Sequence, residues 1–165
     1  MPRIVIASDA PWVRAEIRGN LETPGTQIVE VDRGSDVVAL VRDGRPDLVI
    51  LDLQIGNMGA GAICRDLRAE QESGRLPHVP IVILLDRTAD VFLARRADAD
   101  AWLPKPLSPR ALSKTVDLLL AGHAWTPEAV GVRDQLDREV GGTTVEESEG
   151  AAYQASSTGM PAPGP

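Results

Sequence analysis

An α/β fold built on a doubly wound sheet of five parallel strands is what this sequence predicts, on three observations. Short β-branched runs alternate five times with stretches of helical periodicity, the pattern of parallel strands joined by helical crossovers. The third and fourth runs are nearly continuous in apolar residues, as central strands covered on both faces must be. Apolar residues, 43% of the chain, cluster before Gly122, so one aliphatic core is expected there and little core material beyond it. With 165 residues there is room for one domain and a tail, since compact domains most often hold roughly 100–150 residues.

The first strand is read at Arg3–Ala7 (RIVIA). A helix follows, with Asp9 suited to cap it, Pro11 to its first turn, and Val13, Ile17 and Leu21 along its inner face. Gln27–Val31 (QIVEV) is the second strand, and the second helix starts near Ser35 with Val37, Leu40 and Val41 to bury. Asp47–Leu51 (DLVIL) is the third strand. After a helical stretch around Cys64 and a polar connection, Glu70–Val79, comes the fourth strand, Pro80–Leu84 (PIVIL). A short helix over Thr88–Arg96 leads to the fifth strand, Ala101–Leu103 (AWL). Ser108-Pro109 then opens a last helix with Leu112, Val116 and Leu119 inward. The domain is therefore placed at 1–121.

Residues 122–140 are a candidate amphipathic helix or linker: Val132, Leu136 and Val140 recur at helical spacing behind Thr126-Pro127-Glu128. A partly helical, solvated segment is expected, with docking onto the domain in cis as the alternative. From 141 to 165 the chain is mostly Gly, Ser, Thr, Ala, Glu and Pro without apolar periodicity, so a disordered acidic tail is expected.

The net charge of −7 argues against nucleic acid as a partner, because no Lys/Arg stripe is present to neutralise phosphates. One cysteine, Cys64, excludes an internal disulfide, and its apolar helical surroundings suit a packed, inert thiol. No apolar run reaches the ~18–20 residues of a membrane span, and the N-terminus lacks a signal peptide's apolar region. The expected location is cytoplasmic, without membrane contact.

In an open parallel sheet the working groups gather at the carboxyl ends of the strands. That edge collects Ser8 and Asp9 after the first strand, Asp52 after the third, Leu85 and Asp86 after the fourth, and Lys105-Pro106 after the fifth. Singly, Asp9 reads as a helix cap, Asp52 as a loop carboxylate and Lys105 as a surface lysine. Their joint placement on successive strand ends is what points to a site.

With RIVIASD, LVILDLQIGNMG and DAWLPKP in that order, residues 3–121 resemble the receiver domain of bacterial response regulators, the chemotaxis-type receiver fold. The resemblance implies a flavodoxin-like sheet with strand order 2-1-3-4-5 and a role in two-component signalling or a phosphorelay. It makes Asp52 the phosphoacceptor and Lys105 the phosphate-contacting residue. Mg²⁺ is the implied cofactor, held by Asp9, Asp52 and the backbone carbonyl of Gln54, and the Lys105-Pro106 bond is expected to be cis. Trp102 stands where the family usually has an aromatic switch residue. A histidine kinase or histidine phosphotransfer protein is the implied donor. The output would be a downstream protein or a homodimer, bound through the face of the fourth helix, fifth strand and fifth helix.

Three residues depart from the family pattern. Ser8 replaces a usual acidic residue and so weakens the cation site. Leu85 replaces a Thr or Ser, and a lost donor to a charged acceptor costs about 1.5–3 kcal/mol. Asp86, in place of a small residue, either repels the incoming phosphoryl group or makes up for the charge missing at Ser8. Two readings follow. The first is a stand-alone, non-enzymatic receiver that accepts a phosphoryl group on Asp52 and signals by binding protein. The second is a pseudo-receiver, an interaction module independent of phosphorylation. A nucleotide-binding enzyme on the same sheet ranks behind both, for want of a phosphate-cradling glycine motif.

Overall fold

The computed structural model describes residues 1–56 and 58–138. Its five strands are β1 (Arg3–Ala7), β2 (Gln27–Val31), β3 (Leu48–Asp52), β4 (Ile81–Leu85) and β5 (Ala101–Pro104). All pair in parallel, in the order β2-β1-β3-β4-β5, so the chain reverses its direction of travel across the sheet between β2 and β3. This is the order that the resemblance implies.

The crossovers are α1 (Pro11–Leu21), α2 (Gly34–Gly44), α3 (Ala60–Glu72), α4 (Val91–Arg96) and α5 (Pro109–Leu120), with a 3-10 turn at Thr88–Asp90 before α4. α1 packs beside α5 on one face of the sheet; α2, α3 and α4 line up on the other. Covered on both sides, β3 and β4 are buried along all five of their residues, which is why their sequences do not alternate with polar residues.

Three strand ends fall one residue later than the apolar runs suggest. Asp52, Leu85 and Pro104 are the last residues of β3, β4 and β5, because the sheet ladder continues past the runs: Asp52 pairs with Leu84, and Leu85 with Pro104. Two predicted caps are also corrected. Asp9 does not cap α1; Ala10 holds that position, and Asp9 turns instead toward the backbone of the β3–α3 loop. Ser35 lies inside the first turn of α2, whose N-cap is Arg33. Gly34, the first residue of α2, passes so close to Met58 that a Cβ there would sit 2.7 Å from its carbonyl oxygen. Ser108 does cap α5, accepting from the Ala111 N–H at 3.3 Å.

The segment after Gly122 differs most from expectation. It forms two short helices, α6 (Pro127–Val130) and α7 (Arg133–Arg138), instead of one. Gly131 breaks them with φ of 78°, and Val132 N–H closes back on the Pro127 carbonyl at 3.0 Å. Nor is it solvated. Trp125, Val130, Val132 and Leu136 are buried, the Trp125 indole donates to Thr115 Oγ1 on α5 at 3.0 Å, and α7 lies against the Thr88–Asp90 turn. Val140 and the tail expected at 141–165 lie outside the described residues. Among the described residues no helix is long and apolar enough to cross a membrane.

Candidate functional site

The register of the sheet builds the site. β1 and β3 pair Ala7 with Leu51, so the next residues, Ser8 and Asp52, come side by side at the carboxyl edge. Ser8 Oγ donates to Asp52 Oδ2 at 2.7 Å, with Ser8 fully buried and Asp52 only 3% exposed. The same hydroxyl accepts from the Ala10 N–H at 3.2 Å, which fixes its rotor toward the carboxylate. Arg14 on α1 donates to the Ser8 carbonyl and ties that turn down.

The other Asp52 oxygen belongs to Lys105. Its ammonium lies 2.6 Å from Asp52 Oδ1 and 2.9 Å from Asp86 Oδ1. Pairing of Leu85 with Pro104, and the Lys105 N–H bond to the Leu85 carbonyl at 2.9 Å, place all three charged groups at one corner. Burial works to lower the lysine's pKa, but the hydrogen bonds it donates to Asp52 and Asp86 outweigh it and hold the ammonium above its ordinary value. The Lys105–Pro106 peptide is cis.

Asp9 sits on the far side of the corner. Its Oδ2 accepts from the Gly56 N–H at 3.1 Å, and a Cβ at residue 56 would lie only 3.2 Å from that oxygen, so glycine keeps the carboxylate's flank open. Asp9, Gln54, Ile55, Gly56, Met58 and Gly59 line a shallow cavity of about 380 Å³ there. Asp9, Asp52 and the Gln54 carbonyl offer oxygen alone, the donor type that suits Mg²⁺. The residues fit that cation, though with two carboxylates, and both Asp52 oxygens already accept from Ser8 and Lys105. Among the described residues no three His, Cys, Asp or Glu side chains form a metal cluster.

Leu85, at the end of β4, is wholly buried. Trp102, on β5 three residues before Lys105, is held by groups that sequence reasoning did not connect with it. Trp125 meets it edge to face with centroids 4.9 Å apart, and the Arg95 guanidinium lies 5.4 Å from its ring centre. Ser8 as a donor to Asp52 was legible in principle, since a hydroxyl follows β1 at the level where the carboxylate follows β3. The Trp125 contact carries no such local signal.

A 2-1-3-4-5 parallel sheet with an aspartate, a lysine and a second aspartate at its carboxyl edge defines a doubly wound domain with its charged groups gathered at strand ends. Comparison with known proteins makes the class specific: the response regulator receiver domain family matches residues 4–117. The chain belongs to that family, which serves two-component signalling. PilH of Pseudomonas aeruginosa is 33% identical over 122 residues, spanning 74% of this chain and 100% of PilH. The DNA-binding response regulator MtrA of Mycolicibacterium smegmatis is 37% identical over 112 residues, 67% of this chain but only 46% of MtrA. Among solved structures, the signal receiver domain of a histidine kinase from Syntrophus aciditrophicus matches with a TM-score of 0.66 at 30% identity, covering 76% of this chain and 95% of that one. The BeF3-activated receiver domain of Klebsiella pneumoniae RstA matches with a TM-score of 0.63 at 28% identity, covering 72% and 97%.

Proposed function

We propose that the protein is a stand-alone receiver that accepts a phosphoryl group on Asp52 from a phosphohistidine of a histidine kinase or phosphotransfer protein, and signals by binding protein. The single observation that carries this reading is the grip on Asp52: one oxygen on Lys105 at 2.6 Å, the other on Ser8 at 2.7 Å. Two donors orient the carboxylate at the sheet edge, and each oxygen keeps a further lone pair for attack. In the transfer an Asp52 oxygen forms a new O–P bond while the P–N bond of the donor breaks, its electron pair leaving with the imidazole. Asp9, Asp52 and the Gln54 carbonyl would hold Mg²⁺, which when bound shields the negative oxygens of the phosphoryl group. Lys105 already lies within contact of the nucleophile, so it needs only to follow the phosphoryl oxygens. It supplies a point charge, which suits a group whose charge is spread over three oxygens.

The second reading, a phosphorylation-independent interaction module, draws on Leu85, which has no hydroxyl to offer a phosphoryl oxygen, and on the Asp86 carboxylate beside Lys105. One experiment separates them. Incubation with Mg²⁺ and a small phosphodonor yields, on the first reading, a base-labile adduct that Asp52→Asn lacks. Failure of the unaltered protein to form it at millimolar Mg²⁺ excludes that reading and leaves the second.

A further inference from the structure

Two features of this chain meet at Asp86. The first is chemical: Leu85 has no donor with which to draw the β4–α4 loop toward a phosphoryl group, whereas Asp86 puts a carboxylate next to Asp52, the two sharing the Lys105 ammonium at 2.9 and 2.6 Å. The second is architectural. Asp86 leads directly into the Thr88–Asp90 turn, and that turn is the surface on which α7 rests. Arg87 closes the turn through its ion pair with the buried Asp90 at 3.0 Å. Lys105, the other end of the pair, lies three residues from Trp102, whose ring packs on Trp125 at the start of the same C-terminal segment. Both routes out of the site therefore end on residues 125–138. PilH, matched over its whole length by 74% of this chain, leaves about a quarter of this chain without a counterpart, and the family match ends at 117.

From this we infer that Asp86 is the positioning residue that reads the charge at Asp52, by repulsion, and that the docked segment 125–138 is what it releases. In the resting site the Lys105 ammonium neutralises Asp52 and Asp86 together, and the loop is held down. A phosphoryl group on Asp52 adds negative charge beside Asp86 and claims Lys105 for its own oxygens. Asp86 then loses its partner and faces a like charge, so it moves outward and carries the Thr88–Asp90 turn with it. The surface under α7 is disturbed, the Trp125–Trp102 contact loosens, and the segment opens. Attraction to a hydroxyl, unavailable at Leu85, is replaced by expulsion of a carboxylate.

This inference rests on Asp52 accepting a phosphoryl group, and its test keeps the two apart. The full chain with Mg²⁺ is treated with beryllofluoride; fluorine NMR reports whether the mimic binds, and hydrogen exchange reports the state of residues 127–136. Bound mimic should speed exchange there about fivefold, the effect of losing one partly exposed ion pair. Asp86→Asn should bind the mimic and leave exchange unchanged within about twofold, and Asp86→Glu should restore the response. Bound mimic without faster exchange in the unaltered protein, or a full response in Asp86→Asn, overturns the inference alone. No bound fluoride resonance overturns the phosphoacceptor reading and this one with it.

Discussion

Replacing Ser8 by Asp tests the electrostatics of the site at its tightest point. In the native protein a neutral hydroxyl donates to Asp52 Oδ2 at 2.7 Å, and neither residue is open to water. The substitution removes that bond to a charged acceptor, worth ~1.5–3 kcal/mol, and sets a second carboxylate against the first. Two like charges ~4 Å apart repel by about 4 kcal/mol at an effective dielectric constant of 20, and Lys105, on the far oxygen, offsets only part of this. A loss of about 3 kcal/mol is expected in EDTA, lowering the melting temperature by roughly 10 °C. The same carboxylate adds a hard oxygen donor beside Asp9 and Asp52, so Mg²⁺ affinity should rise about tenfold. Added Mg²⁺ at 100 times the dissociation constant would then return ~2.7 kcal/mol. Thermal unfolding in EDTA and in Mg²⁺, with calorimetric titration of Mg²⁺, measures both effects. A variant as stable as the parent in EDTA, or one whose Mg²⁺ affinity is unchanged, refutes the reasoning, because either result means that the two side chains do not share a cation site.

Leu85→Thr exchanges a wholly buried apolar side chain for a donor at the end of β4. It should lower stability by about 1–3 kcal/mol in urea unfolding yet tighten beryllofluoride binding about tenfold, since a bond to a charged acceptor is worth ~1.5–3 kcal/mol. Arg68 bonds the carbonyls of Asp98 and Val79 and lies 2.6 Å from Asp100 Oδ2, stitching α3 to the starts of β4 and β5. Arg68→Ala should therefore cost about 2 kcal/mol by denaturant midpoint and leave phosphodonor labelling at Asp52 intact, because the contacts lie at the opposite edge of the sheet. Burial pushes the Cys64 thiol up to about 11, so the folded protein should resist iodoacetamide at pH 8 until it is unfolded by urea. Above the ordinary thiol value of 9.0 the unfolded chain releases this proton while the folded one keeps it. Stability from this group is thus complete below pH 9 and falls by ~1.4 kcal/mol per pH unit up to pH 11, a slope that Cys64→Ala should lack.

How much of this could be read from sequence follows from the range of each interaction. The two central strands were legible because burial on both faces leaves a mark in every residue of LVIL and IVIL, and the other three through their short β-branched or apolar runs between helical stretches. The meeting of Asp52 and Lys105 was legible because sheet topology brings strand ends together whatever the side chains, whereas the turn of Asp9 toward the Gly56 N–H was not. Asp86 was ambiguous, since a carboxylate after β4 repels a phosphate or binds a lysine according to geometry, and only the 2.9 Å contact shows that it binds Lys105. The single helix expected at 126–140 failed because Gly131 sits mid-pattern, where a left-handed turn stops the first helix while leaving the apolar spacing intact. Docking of Trp125 against Trp102 was hidden for a different reason: two aromatic residues 23 positions apart meet only through tertiary packing, and neither sits in a periodic context.

Complete burial of β3 and β4 has a consequence for how such a protein changes over time. At the apolar positions of a strand with no exposed residue, only apolar replacements of similar volume fit the packing. Immediately beyond β1 stands Ser8, wholly buried against Asp52, and immediately beyond β4 stands Asp86, exposed beside Lys105. Altering Asp86 changes charge without disturbing the strand pairs, whereas altering Ser8 also disturbs a closed, hydrogen-bonded position. A change at Asp86 therefore resets the charge around Lys105 while the packed scaffold keeps its contacts.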